Sequence, residues 1–264
     1  MISVTYAQLS AWLAAFIWPF SRIIALVSSA PVLGNPGISV QVKIGLSIAI
    51  TLVLSPFLGT MPVVEPGSAI GLLILGQQIV IGVAMGFAMR IIFSAIEMAG
   101  QIIGMQMGLG FAVFFDPQNA AQTPVLGQFL GLVGILVFLS LNGHLLMIEV
   151  LAQSFKALPV MAQPFSATGW RALVGWGGEV FLAGLLISLP IMAALLITNL
   201  ALGIMTRAAP QLNVFSVGFP ITLAAGFVVI VIALPFFTPL FERLIQDGLQ
   251  MMLQIVLLAN PVIP

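Results

Sequence analysis

Only fourteen charged side chains punctuate this sequence, seven basic and seven acidic. Between them lie uncharged runs over residues 23–42, 44–64, 66–89, 117–148, 180–206 and 208–241. Even the shortest reaches the roughly 20 apolar residues that a helix needs to cross a hydrocarbon core. The reading is therefore an all-α integral membrane protein of about six hydrophobic helices. Trimming at Pro, Gly and polar clusters places them at 6–30, 40–58, 69–96, 125–148, 180–205 and 219–241.

Composition removes most other classes. Hydrophobic residues make up 61% and charged residues 5% of the 264, against about 25% charged in a soluble domain. That balance excludes a soluble enzyme and a disordered chain. The net charge of zero supplies no basic field for nucleic acid. With no cysteine and one histidine, His144, a disulfide framework or a Cys/His metal cluster is ruled out and the redox compartment stays undetermined. The chain lacks a zincin motif, a G-x-S-x-G elbow and a Walker A loop, and GLGFAV at 108–113 lacks the third glycine of a dinucleotide fingerprint. No enzyme, cofactor or metal is expected, and His144 reads as a hydrogen-bonded interfacial residue rather than a proton relay.

The N-terminal apolar stretch has no basic residue before Arg22, so it reads as a retained membrane segment and not a signal peptide. Alternating six segments puts Lys156, Arg171 and Arg243 on the N-terminal side and Lys43, Arg90 and Arg207 on the other, a tie that leaves orientation open. Pro19, Pro190, Pro235 and Pro239 fall within or at the ends of apolar segments and are expected to kink them. Arg22, and Arg90 near Glu97, sit inside apolar stretches, where charge must face protein or water; burial against other subunits is the expectation. From Phe241 onward, Arg243, Gln246, Asp247, Gln250 and Gln254 recur at helical spacing, leaving Leu244, Ile245, Met252, Leu253 and Val256 mostly to the other faces. This reads as an amphipathic helix, and with one cation on its polar face it suits a protein partner better than anionic lipid.

Glycines form the densest pattern. Gly82 and Gly86, Gly100 and Gly104, and Gly127 and Gly131 are G-x-x-x-G pairs, and Gly108 extends the second. Residues four apart share a helix face, so these glycines make grooves for a second backbone, from this chain or from another subunit. The run GQIIGMQMGLGFAVFF, 100–115, followed by DPQNAAQTP, is apolar yet glycine-rich enough to make a helix costly. It reads as a non-helical apolar segment, tolerated at membrane depth when buried in protein or lining a cavity. Asp116 and Pro117 close it, because the residue before proline disfavours helix. In TRAAPQLNVFSVGFP, 206–220, Pro210, Asn213, Gly218 and Pro220 mark a turn, and Asn213 suits either turn chemistry or a bond to a partner helix.

The runs 104–130 and 206–220 together resemble the FliR family of flagellar biosynthetic proteins, which includes export-gate subunits of virulence type III secretion. The likeness covers nearly the whole chain, leaving out only ANPVIP at 259–264. It implies a FliP-like portion over 1–178 and a FliQ-like hairpin with a C-terminal amphipathic helix over 179–258. It further implies a place in a helical hetero-oligomer with FliP and FliQ, next to FlhB and other export components. That assembly would lie in the bacterial inner membrane within the flagellar basal body, partly raised toward the periplasm, in contact with lipid and passing unfolded flagellar proteins. By position, the family's plug loop is 105–122. Met105, Gln106, Met107, Gly108, Gly110, Phe111, Phe114, Phe115, Asp116 and Pro117 are then the gate candidates, and the paired glycines with Pro210 and Asn213 the assembly candidates. The competing readings are a small-solute transporter with Arg22, Arg90 and Glu97 on its path, and an assembly factor without a conduit.

Overall fold

Thr5 opens the first helix by a reciprocal cap: its hydroxyl accepts from the Gln8 amide at 3.3 Å, and the Gln8 side chain accepts from the Thr5 amide at 3.0 Å. The computed structural model describes residues 5–59, 61–110, 124–161, 166–209 and 217–260. Its helices are α1 (Tyr6–Ser29), α2 (Val40–Leu54), α3 (Ala69–Gln106), α4 (Val125–Ser140), α5 (Gly143–Ala157), α6 (Ala167–Trp176), α7 (Glu179–Ala208) and α8 (Phe219–Ala259). Among the described residues five helical stretches are long and apolar enough to cross a bilayer, and the bent pair α4–α5 would make a sixth. Pro19, Pro190, Pro235 and Pro239 all lie inside helices.

The chain forms two compact units. The first takes residues 1–91, 142–177 and 245–264, and so contains α1, α2, the start of α3, α5, α6 and the end of α8. The second takes 92–141 and 178–244: the end of α3, α4, α7 and most of α8.

In the first unit α1 lies in a groove of α3. A Cβ at Gly82 would collide with the Arg22 carbonyl and fall 2.7 Å from Ala25 Cβ; one at Gly86 would strike Ser29. Lys43 closes the α1–α2 turn by donating to the Gly34 carbonyl at 2.9 Å. The far end of α8 is tied to α5 and α6. Asn260 Nδ2 donates to Ala157 O at 2.8 Å, and the Thr168 hydroxyl to Leu258 O at 3.0 Å. Ile245, Met252, Ile255 and Val256 are buried there, while Gln246, Asp247, Gln250 and Gln254 face outward; Arg243, in the second unit, is exposed as well.

In the second unit α3 and α4 cross backbone to backbone. A Cβ at Gly100 would lie 2.6 Å from both Cα and N of Gly127, and one at Gly131 would lie 3.1 Å from Glu97 Cγ. Gly134 and Gly184 also face α3 closely: a Cβ on the former would lie 3.1 Å from Ile96 Cδ1 and one on the latter 3.2 Å from Ala95 O. Phe93 and Phe138 meet edge to face at 5.7 Å.

Three boundaries differ from the sequence reading. Helix α3 runs ten residues past 96, through Gly100 and Gly104. The cost of about 1 kcal/mol per helical glycine is offset by the close packing that Gly100 allows. The segment 125–148 is two helices bent by 67°, because Asn142 takes the left-handed conformation with φ 55, which Asn tolerates better than most residues. The last apolar helix and the amphipathic helix are one 41-residue helix. Charges at 242 and 243 end an apolar run, but Glu, Arg, Leu and Gln are good helix formers and end no helix.

Candidate functional site

Gly108 stops α3. It has φ 86, its amide donates to Met105 O at 3.0 Å, and the Leu109 amide donates back to Gly104 O at 3.0 Å. That is the Schellman arrangement, in which a left-handed glycine satisfies the last helical carbonyls. Leu109 completes it by packing over Gly104, where a Cβ would sit 3.8 Å from Leu109 Cδ1. The gate candidates thus begin on a helix: Met105 and Gln106 form its last turn, Met105 67% exposed, whereas Met107 is wholly buried.

Met107 is held by α8. A Cβ at Gly226 would lie 2.6 Å from Met107 Cε and Cγ and 2.7 Å from Sδ, so the missing side chain is the space the thioether fills. A Cβ at Gly110 would meet nothing within 4 Å among the described residues. Phe111, Phe114, Phe115, Asp116, Pro117, Pro210 and Asn213 lie outside the described residues. Gly82, Gly86, Gly100, Gly127 and Gly131 all make their close approaches to helices of this same chain.

A second polar feature sits in the first unit. Arg22 is completely buried. Its Nε donates to Gln78 Oε1 at 2.8 Å, Nη1 to Ser154 Oγ at 3.1 Å and Nη2 to Leu158 O at 3.0 Å. The guanidinium carbon stands 4.1 Å from the Phe155 ring centroid, within cation–π range. Its burial against other subunits, expected from the sequence, is therefore corrected: α1, α3 and α5 of its own chain enclose it. Enclosure also takes it off any solute path. Arg90 and Glu97 are exposed on α3. His144 Nδ1 is buried without a hydrogen-bond partner among the described residues, unlike the bonded histidine expected. Those residues bring no three His, Cys, Asp or Glu side chains together as a metal site.

Gln78, Ser154, Gly184 and Gly226 were not legible as special. Gly184 and Gly226 lack a glycine four residues away, and nothing local distinguishes Gln78 or Ser154 from surface polar residues.

Residues 13–248 match the model of the family described as bacterial export proteins, family 1. The chain is 45% identical over 247 residues to the flagellar biosynthetic protein FliR of Pectobacterium carotovorum subsp. carotovorum, covering 93% of this chain and 94% of that one. It is 39% identical to FliR of Escherichia coli (strain K12), covering 97% and 98%. The chain belongs to the FliR family. The chain is also 31% identical to FliR of Bacillus subtilis (strain 168), over 83% and 86% of the two chains. Membership and the apolar helices together make this chain an inner-membrane component of the flagellar export apparatus and not an enzyme.

Proposed function

We propose that this FliR-family chain is a structural and gating subunit of the flagellar protein-export channel, passing unfolded flagellar subunits across the inner membrane. FliP and FliQ are its immediate partners, with FlhB and other export components nearby. Residues 1–178 act as a FliP-like portion and 179–258 as a FliQ-like one. The segment 105–122 is the plug.

The end of α3 carries the gating part of this reading. A firm helix stop at Gly108, with Met107 seated against α8, gives the following stretch, with Phe111, Phe114 and Phe115, a fixed base from which to close. A passage for unfolded chains needs a soft apolar constriction that excludes water and ions without recognising particular side chains, and unbranched Met suits that task. Much of α2, α7 and α8 is left exposed in the chain by itself: only 11% of the α2 span window and 22% of that of α8 are buried. Such surface suits enclosure by neighbouring subunits and lipid.

Purification of the tagged chain in mild detergent tests the assembly: FliP and FliQ are expected with it, and a single-chain species would overturn the reading. Deleting residues 106–122 is expected to make cells leak ions once the complex has assembled; unchanged permeability with normal assembly would remove the plug.

A further inference from the structure

The surroundings of Arg22 contain donors in excess. A guanidinium donates through five N–H groups and accepts through none. Three are used, on Gln78 Oε1, Ser154 Oγ and Leu158 O, and all three acceptors are neutral. Because Arg22 can only donate, the Gln78 amide must turn its oxygen toward it, and Gln78 Nε2 is left buried with no acceptor among the described residues. Trp18, one helical turn before Arg22 on the same face of α1, has a buried indole Nε1–H in the same condition. Trp18, Arg22, Gln78 and Ser154 are all completely buried.

A buried cation with no opposite charge is costly, and every unpaired buried donor adds to that cost. A water molecule could accept from these groups, but it brings two hydrogens of its own into a setting already short of acceptors. A species that accepts only, carries one negative charge and is small enough for a closed interior meets both requirements. We propose that the Arg22–Gln78 pair, on the face of α1 that also carries Trp18, is a binding site for a small monovalent anion of the halide class, which neutralises Arg22 and fixes α1 against α3 and α5. The site is structural: it sets the shape of the first unit and takes no part in transport chemistry.

The test is the thermal midpoint of the purified full-length protein, with the subunits that accompany it, in sodium chloride and in sodium gluconate at matched ionic strength. Saturable stabilisation by chloride is expected, with the midpoint raised by about 3–6 °C at ten times the dissociation constant. Gln78→Glu supplies a built-in carboxylate next to Arg22 and is expected to keep the fold while losing the chloride dependence. Bromide soaked into crystals of the complex is expected to give an anomalous peak beside Arg22. Equal midpoints in the two salts, an undiminished chloride effect in Gln78→Glu, or an ordered water in place of the bromide peak would each overturn the proposal.

Discussion

Met107, just past the end of α3, and Gly226 of α8 share one volume: the thioether lies where a Cβ on residue 226 would be, with Cε and Cγ 2.6 Å from that point. The fit is specific to a glycine at 226 and needs the unbranched reach of methionine at 107. It also fixes where the stretch after α3 begins.

Gly226→Ala is accordingly expected to displace Met107, with an overpacking cost of about 1–3 kcal/mol. Met107→Ala leaves a cavity in its place and costs about 2–5 kcal/mol. The two lesions are complementary, so the double variant should be more stable than the sum of its parts. A double-mutant cycle on thermal midpoints checks this coupling, and strict additivity would mean that the two residues do not meet.

The G-x-x-x-G pair on α3 should divide sharply. A Cβ at Gly100 meets the backbone of Gly127 at 2.6 Å, whereas one at Gly104 has its nearest neighbour, Leu126 Cδ1, at 3.7 Å. Gly100→Ala is expected to reduce the folded yield severely, at more than about 2 kcal/mol. Gly104→Ala should be neutral or gain up to about 1 kcal/mol in helix propensity. Fluorescence-detected size-exclusion profiles of the two variants would show the contrast.

Arg22→Lys keeps the charge but loses the fork that reaches three acceptors on two other helices. Gln78 Oε1 and Leu158 O would compete for one ammonium. At about 1–3 kcal/mol for each buried group left unpaired, the variant should unfold well below wild type. A midpoint within a degree of wild type would show that those bonds contribute little.

Asn142→Ala should cost about 1–2 kcal/mol, because the left-handed conformation at φ 55 penalises Ala more than Asn. Asn142→Gly should be close to wild type. Thermal midpoints of the two variants distinguish this backbone effect from loss of the amide, which would harm both alike.

Long uncharged runs gave the membrane class and most of the helices, because apolar length is a local property that hydrocarbon reads directly. The polar stripe of Arg243, Gln246, Asp247, Gln250 and Gln254 was equally legible and faces outward in the structure. Glycine spacing located Gly82, Gly100 and Gly127 as points of close approach, but could not distinguish an approach within the chain from one between subunits.

What only the tertiary structure decided were the partners. Arg22 meets Gln78, Ser154 and Leu158 at separations of 56, 132 and 136 residues, and no pattern within one helix encodes those meetings. Gly100 looked like a break and proved helical, since the cost of glycine in a helix is set against what approaches it. Asn142 bends a run that looked continuous, because a single backbone angle leaves no trace in hydrophobic periodicity. Local chemistry thus fixed most of the helical segments; long-range packing determined where α3 ends, which side chains face one another and whether a buried charge is tolerated.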